Sequence, residues 1–171
     1  MKKKIIFFLP NFSEGGAGNS ILKLCKFLKK KLKIEILVVS LGKNSYKNSF
    51  LESNINVIEI QKKKLIFAIN DLEKLIKTLI DNGEKLIFVS NINYANLISS
   101  IFFQKFISRK FKLILIERTP IEELNYGKNL VQKIKNRIIK FLIRYFYKKA
   151  SCIIANSRGV AKSLQTHVKH K

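Results

Sequence analysis

Hydrophobic positions along the chain alternate between short continuous runs and longer stretches with helical spacing. The short runs are rich in Ile, Leu, Val and Phe, which is typical of strands buried on both faces of a parallel sheet. They predict strands at residues 5–9, 34–39, 55–60, 86–89, 113–116 and 152–155. The stretches between them predict helices at residues 19–32, 65–82, 94–107, 128–149 and 159–167, and a loop without regular structure at residues 42–54.

The alternation of strands and helices predicts an α/β fold, with a doubly wound, Rossmann-like parallel sheet and helices on both faces. The 171 residues, of which 47% are hydrophobic, suit one globular domain. Ligands of such sheets bind at the carboxyl ends of the strands. The candidate site residues are therefore polar residues that follow the last three strands, namely Asn91, Asn93, Glu117, Arg118, Asn156 and Ser157.

A glycine-rich turn at residues 15–18 joins the first strand to the first helix. The N–H groups at a helix N-terminus favour a phosphate, and glycine lets that phosphate approach the backbone closely. We therefore predict that Gly15 and Gly16 face a phosphorylated ligand; the alternative is a tight turn that contacts no ligand. Asn19 stands where a Walker A loop has lysine, and Ile21 stands where a nicotinamide-binding turn has its third glycine, so neither of those sites is expected.

Glu117 and Arg118 leave the fifth predicted strand together. A carboxylate and a guanidinium in this arrangement can bind hydroxyl groups and phosphates. The alternative, which the sequence leaves open, is a local structural ion pair.

The cysteines and the targeting signals favour a reduced, cytoplasmic protein. Cys25 and Cys152 lie in a predicted helix and a predicted strand without a paired framework, and we expect both to be small core residues. The apolar run after the N-terminal lysines ends at Pro10 without a cleavage site, so no secretion signal is expected. Ser and Asn interrupt the longest uncharged stretch, residues 86–104, so no transmembrane helix is expected.

The formal net charge is +23, with 34 Lys and Arg residues against 11 Asp and Glu residues. This balance is typical of proteins that bind nucleic acid or an anionic membrane surface. An AT-rich genome, which favours Lys, Ile and Asn, is the alternative explanation for part of the charge. Because the sequence has no helix-turn-helix or RNP1-like motif, we expect no nucleic-acid partner.

Residues 128–149 carry eight basic residues and no acidic one. Helical spacing predicts an apolar stripe at Val131, Ile134, Ile138, Phe141, Leu142 and Tyr145. On the basic face we predict four membrane-facing residues, Lys133, Arg137, Lys140 and Arg144, which would meet anionic lipid headgroups. The apolar stripe would then pack on the sheet, or the whole helix would lie in the membrane interface. A core-packed helix with a solvated lysine face is the alternative.

Four segments follow one another in an order that resembles a known family. They are the first strand with Pro10 and its Gly-Gly-Ala turn, residues 90–97 (SNINYANL), residues 116–120 (IERTP) and residues 147–161 (YKKASCIIANSRGVA). This set, of which the last segment is the most characteristic, covers nearly the whole chain. It resembles the N-terminal domain of GT-B glycosyltransferases of the family 4 type, especially those that build bacterial surface polysaccharides.

The resemblance implies transfer of a sugar from a nucleotide-sugar donor to a polysaccharide or lipid-linked acceptor, with retention of anomeric configuration and without a metal or other cofactor. It implies that Gly15 and Gly16 face the donor diphosphate, and that Glu117 and Arg118 lie near the reacting groups as catalytic residues. The implied acceptor or cleft residues are Asn91, Asn93, Asn156 and Ser157. Many relatives have a histidine near the end of the fifth strand, whereas this chain has only His167 and His170.

The resemblance also implies a second, donor-binding Rossmann-like domain, which these 171 residues do not contain. We therefore expect residues 1–171 to be the acceptor-side domain of a truncated enzyme, inactive alone, or to work with a donor-binding domain on a separate partner chain. The alternative is a non-catalytic, membrane-associated subunit that binds the acceptor. Either protein is expected in the cytoplasm, peripheral on the inner face of the cytoplasmic membrane.

Overall fold

A computed structural model describes residues 2–13, 15–32 and 34–168. The strands in this part of the chain are β1 (Lys3–Phe8), β2 (Glu35–Ser40), β3 (Asn56–Glu59), β4 (Lys85–Asn91), β5 (Phe111–Glu117) and β6 (Cys152–Ala155). The α-helices are α1 (Gly16–Leu32), α2 (Lys47–Leu51), α3 (Leu65–Asp81), α4 (Asn93–Phe103), α5 (Leu130–Phe146) and α6 (Arg158–His167). Short 3-10 helices occur at Gln104–Phe106, Ile121–Asn125 and Tyr147–Lys149.

The six strands form a sheet in the order β3-β2-β1-β4-β5-β6, which is the Rossmann strand order. β2 pairs in parallel with both β1 and β3, and β5 pairs in parallel with β6. In this register Phe7 lies opposite Val38, and Ile116 lies opposite Ile154. The predicted fold class, an α/β protein with a Rossmann-like parallel sheet, is confirmed.

The chain divides into two compact units, of which the first lies within Met1–Val89 and Ser108–Lys112. Its core contains three neighbouring aromatic rings, with centroid distances of 5.9 Å from Phe8 to Phe88 and 6.4 Å from Phe88 to Phe111. Phe12 and Phe50 form a second buried pair at 5.8 Å, edge to face. These contacts hold the elements on which the glycine-rich turn is built.

The second unit lies within Ser90–Ile107 and Leu113–Lys171. Its two long helices after β5 begin at residues whose side chains cap them. Asn129 accepts a hydrogen bond from the N–H of Gln132 at 2.8 Å, and Ser157 accepts one from the N–H of Val160 at 3.3 Å. Such caps satisfy N–H groups that have no partner inside the helix, so they fix where α5 and α6 begin.

Two predictions about local structure are wrong. The segment 42–54 is not a plain loop, because it contains α2, whose Phe50 is buried against Phe12. Cys152 is exposed rather than in the core, since β6 is the outer strand of the sheet. Cys25 is buried as expected, and burial raises the pKa of its thiol to about 12.

Candidate functional site

The carboxylate of Glu117 is the centre of a buried polar cluster in the second unit. Glu117 is the last residue of β5, and its exposed fraction is 0%. Its Oε2 atom accepts hydrogen bonds from the Tyr147 hydroxyl at 2.7 Å and from Asn96 Nδ2 at 3.3 Å, and its Oε1 atom accepts one from the N–H of Arg118 at 3.0 Å. Burial raises the pKa of Glu117 above its usual range, and these donors oppose the rise because they stabilise the carboxylate.

Tyr147 connects three parts of this unit. It belongs to the 3-10 helix after α5, it is fully buried, and its hydroxyl lies 3.2 Å from the carbonyl oxygen of Asn93 as well as 2.7 Å from Glu117. Asn96 adds a further link, since its Nδ2 atom donates to the carbonyl of Ile116 at 2.9 Å. Burial, and next the nearby charge of Glu117, raise the pKa of Tyr147 well above its usual value, so its hydroxyl keeps its proton and acts as a donor.

The turn between β4 and α4 carries backbone strain. Ile92 has φ +68° and ψ 145°, a region that a β-branched residue rarely adopts. Conformations of this kind cost about 1–3 kcal/mol and persist only where the surroundings fix them. Here the neighbouring Asn91 is fully buried, and the carbonyl of Asn93 lies against Tyr147. The strained turn therefore gives fixed positions to Asn91 and Asn93, two of the predicted cleft residues.

Arg118 follows Glu117 and is half-buried. Among the described residues its Nε atom has no hydrogen-bond partner, whereas its backbone N–H donates to Glu117. Burial lowers the pKa of the guanidinium, and the charge of Glu117 opposes that shift. The arrangement thus differs from a closed ion pair, because the carboxylate is occupied by other donors while the guanidinium retains hydrogen-bonding capacity.

The predicted residues after β6 have different surroundings. The backbone N–H of Asn156 donates to the carbonyl of Glu117 at 3.1 Å, and the Asn156 side chain is exposed. Ser157 is exposed too, and its hydroxyl accepts the capping hydrogen bond of α6. The second unit therefore brings Asn93, Glu117 and Asn156 to one region, where Asn156 contributes through its backbone.

The glycine-rich turn belongs to the first unit, and α1 begins at Gly16. The N–H of Gly15 donates to the Tyr46 hydroxyl at 3.2 Å. In the described part of the chain, a Cβ atom added at Gly16 would meet no heavy atom within 4 Å, whereas one added at Gly18 would lie 2.6 Å from the ring of Tyr46. Packing thus requires glycine at Gly18, and the space beside Gly16 is open to a ligand.

The predicted apolar stripe of α5 does not pack on the sheet. Six apolar residues of the helix are each between 46% and 76% exposed: Leu130, Val131, Ile134, Ile138, Phe141 and Tyr145. We call these six residues the exposed stripe. The buried residues of α5 are Asn136 and Ile143, which lie on the other side of the helix, so the alternative in which the stripe docks on the sheet is wrong. None of the described helices has both the length and the apolar character needed to cross a bilayer.

Comparisons with known proteins agree with this architecture. No protein-family model matches the chain. The N-acetylgalactosamine-N,N'-diacetylbacillosaminyl-diphospho-undecaprenol 4-alpha-N-acetylgalactosaminyltransferase of Campylobacter jejuni is 28% identical over 95% of this chain and 43% of its own length. A crystal structure of Anabaena HepE with UDP-glucose superposes with a TM-score of 0.64 at 19% identity. That superposition covers 96% of this chain and 40% of HepE.

A glycosyltransferase from Rickettsia africae superposes with a TM-score of 0.65 at 17% identity, over 99% of this chain and 41% of that protein. The chain has the Rossmann-like fold of the part of these glycosyltransferases that it matches. The chain spans less than half the length of these relatives, from 40% of HepE to 43% of the Campylobacter transferase.

Sequence reasoning missed several residues that shape the candidate sites of this chain. Asn96 and Tyr147 hold the Glu117 carboxylate, and Tyr46 contacts the glycine-rich turn. The sequence pattern assigns Asn96 to a core helix, Tyr147 to the end of the basic helix and Tyr46 to a loop. The one local signal was a polar Asn within the apolar run of α4, where a buried amide requires hydrogen-bond partners.

Proposed function

We propose that the chain is the acceptor-side part of a glycosyltransferase that moves a sugar from a nucleotide-sugar donor to a lipid-linked acceptor with retention of anomeric configuration. The observation that carries the proposal is the 28% identity along 95% of the chain to a transferase named for a diphospho-undecaprenol-linked substrate. The superposition on Anabaena HepE, which was crystallised with UDP and with UDP-glucose, supports a nucleotide-sugar donor.

In this proposal Gly15 and Gly16 lie against the donor diphosphate. The open space beside Gly16 and the start of α1 at that residue support the role, because N–H groups at a helix N-terminus attract phosphate. We assign no metal or cofactor to the reaction.

Glu117 and Arg118, at the end of β5, have different roles in this proposal. Since Glu117 is enclosed by hydrogen-bond donors, it acts as a positioning residue that fixes Arg118 and, through Asn96, the first turn of α4. Arg118, whose Nε atom has no partner among the described residues, contacts the acceptor or the reacting sugar. Asn91, Asn93, Asn156 and Ser157 line the acceptor side.

The proposal places the protein on the inner face of the cytoplasmic membrane as a peripheral protein. Its support is α5, which exposes six apolar residues, together with the eight basic residues and no acidic one between 128 and 149. An apolar strip next to cationic side chains is suited to the interface of an anionic bilayer. A second candidate function, a non-catalytic subunit that binds the acceptor, rests on the same surface.

Sugar transfer in a paired system tests the proposal. The purified chain is combined with the donor-binding half of the Campylobacter relative, either fused or in trans, and transfer from UDP-N-acetylgalactosamine to a diphospho-undecaprenol-linked saccharide is measured. We expect transfer by the pair, none by the chain alone, and loss of transfer in a fused Arg118→Gln variant that still folds. Transfer by the isolated chain would contradict the role assigned here, and an active Arg118→Gln fusion would remove Arg118 from the site.

A further inference from the structure

A small polar pocket of about 240 Å³ lies in the first unit, at the carboxyl ends of β2 and β3. Its lining residues are all polar: Lys43, Asn44, Ser45, Lys47, Asn48 and Glu59. β2 ends at Ser40 and β3 ends at Glu59, and these two residues lie opposite each other in the sheet. Doubly wound sheets bind their ligands at this edge. The pocket is therefore placed where such folds bind ligands, and it contains none of the site residues named so far.

Asn44 is held firmly in the wall of this pocket and has an unused donor group. It is only 3% exposed. Its backbone N–H donates to Glu59 Oε1 at 2.8 Å, and its Oδ1 atom accepts from the N–H of Tyr46 at 2.9 Å. The next N–H, that of Ser45, donates to the carbonyl of Phe12 at 3.0 Å. The Nδ2 atom of Asn44 is buried and has no hydrogen-bond partner among the described residues. Since an unpaired buried donor costs free energy, a ligand acceptor in the pocket would be favoured.

The pocket also contains charges of both signs. Lys47 Nζ lies 2.9 Å from Glu59 Oε2. The hydrogen bond from the N–H of Asn44 is the largest cause that lowers the pKa of Glu59, followed by the bond from Lys47, and the charge of Lys43 adds to them. Glu59 is therefore a carboxylate at neutral pH and can only accept hydrogen bonds, whereas the two lysines can only donate them. The pocket thus offers a fixed acceptor beside several donors.

This mixture of groups selects the chemistry of the ligand. An anion would meet the carboxylate of Glu59, a cation would meet Lys43 and Lys47, and an apolar group would find no apolar side chain in the lining. A hydroxyl group both donates and accepts, so it can donate to Glu59 while it accepts from Asn44 Nδ2. A neutral sugar presents several hydroxyl groups on one ring. The pocket is smaller than the about 300–1,000 Å³ of sites for drug-sized ligands, so it suits a single ring.

We propose that this pocket is a saccharide subsite in which Glu59, Asn44 and Lys43 bind neighbouring hydroxyl groups of one neutral sugar unit. The inference rests on the proposed function in one respect, because it takes that sugar to be part of the lipid-linked acceptor. The subsite adjoins the glycine-rich turn through Tyr46, whose backbone N–H donates to Asn44 and whose hydroxyl accepts from the N–H of Gly15.

An NMR titration of the ¹⁵N-labelled chain with methyl N-acetyl-α-galactosaminide tests the subsite. We expect saturable shifts of the backbone amide signals of residues 43–48 and of the Asn44 side-chain amide. Asn44→Asp keeps the acceptor for Tyr46 but loses the donor, so the sugar should bind at least about tenfold more weakly. Lys43→Gln changes an exposed side chain and should weaken binding roughly threefold. Asn56→Asp, the same change at an exposed residue of β3 outside the pocket, is the matched control and should bind like the unmodified chain.

Several results would overturn the subsite. They are the absence of saturable shifts at residues 43–48, equal losses in Asn44→Asp and Asn56→Asp, and larger shifts of the same signals with inorganic phosphate. Thermal melting shows whether each variant folds; if Asn44→Asp melts early, unchanged binding by Lys43→Gln would overturn the proposal instead.

A second titration, with UDP-N-acetylgalactosamine, distinguishes the acceptor from the donor as the source of the sugar. If this nucleotide sugar bound the pocket more than about tenfold more tightly than the methyl glycoside, the pocket would belong to the donor, and its assignment to the acceptor would be wrong. Comparable or weaker binding supports the acceptor. Sugar transfer plays no part in either titration, so the subsite and the proposed transfer can fail separately.

Discussion

Removing the Tyr147 hydroxyl tests the buried cluster. In a Tyr147→Phe variant the ring still fills its fully buried site, but Glu117 loses its shortest hydrogen bond, of 2.7 Å. A hydrogen bond to a charged group contributes about 2 kcal/mol, and a neutral one contributes about 1 kcal/mol. We therefore expect the variant to lose about 2 kcal/mol in its free energy of unfolding at neutral pH if Glu117 is ionised there.

The loss should depend on pH. Burial raises the pKa of Glu117 in the folded protein. At pH values between the usual pKa of glutamate and this raised pKa, the folded protein therefore keeps a proton on Glu117 that the unfolded chain has already released. The contribution of Glu117 to stability is therefore full below that range and falls as pH rises through it. Tyr147→Phe removes a donor that favours the carboxylate, so the pKa of Glu117 rises further and the variant is weakened more at neutral than at acidic pH.

Urea unfolding of both proteins at neutral pH and below the usual pKa of glutamate measures this difference. Tyr126→Phe is the matched control, since Tyr126 is 81% exposed. We expect the control to unfold like the unmodified protein at both pH values. If Tyr147→Phe also unfolded like the control, or lost the same free energy at both pH values, the assignment of Tyr147 as the donor to an ionisable Glu117 would be refuted.

Three further predictions concern single positions. Gly18→Val should destabilise the fold, because the valine side chain would meet the Tyr46 ring. Gly16→Val should melt like the unmodified protein but impair donor binding in a fused enzyme. Normal donor binding by the Gly16→Val enzyme would show that the turn contacts no ligand. Ser157→Ala should lose about 1 kcal/mol of stability by urea unfolding because the cap of α6 is removed, and an unchanged midpoint would contradict that role. A thiol reagent should label exposed Cys152 in the native protein and buried Cys25 only after unfolding, and rapid native labelling of Cys25 would contradict its burial.

The strand positions were predictable because the strands of this parallel sheet are short apolar runs, including β6 at its edge. The prediction of residues 152–155 agrees with β6 at both ends. The helix α2 was not predicted, because its five residues are too few to show a helical period. It is stabilised by the contact of Phe50 with Phe12, which is distant in sequence. Pattern therefore predicts elements that are long or strongly apolar, and it misses those that depend on a distant contact.

The site was only partly predictable for the same reason. Polar residues at strand ends identified Glu117, but Tyr147 is 30 positions further along the chain, and no local pattern pairs the two. In α5 the amphipathic pattern predicted two faces without determining which one meets the core. The structure buries Asn136 and Ile143 and leaves the more apolar face outside.

Binding of a lipid-linked diphosphate acceptor to the chain tests most directly the claim that it is the acceptor-side half of a glycosyltransferase. The measurement uses nanodiscs that carry a diphospho-undecaprenol-linked saccharide, with undecaprenyl monophosphate at the same density as the control for general membrane attraction. We predict saturable binding that prefers the diphosphate-linked saccharide and that weakens in Arg118→Gln. Equal binding to both kinds of nanodisc by the folded chain would contradict the claim.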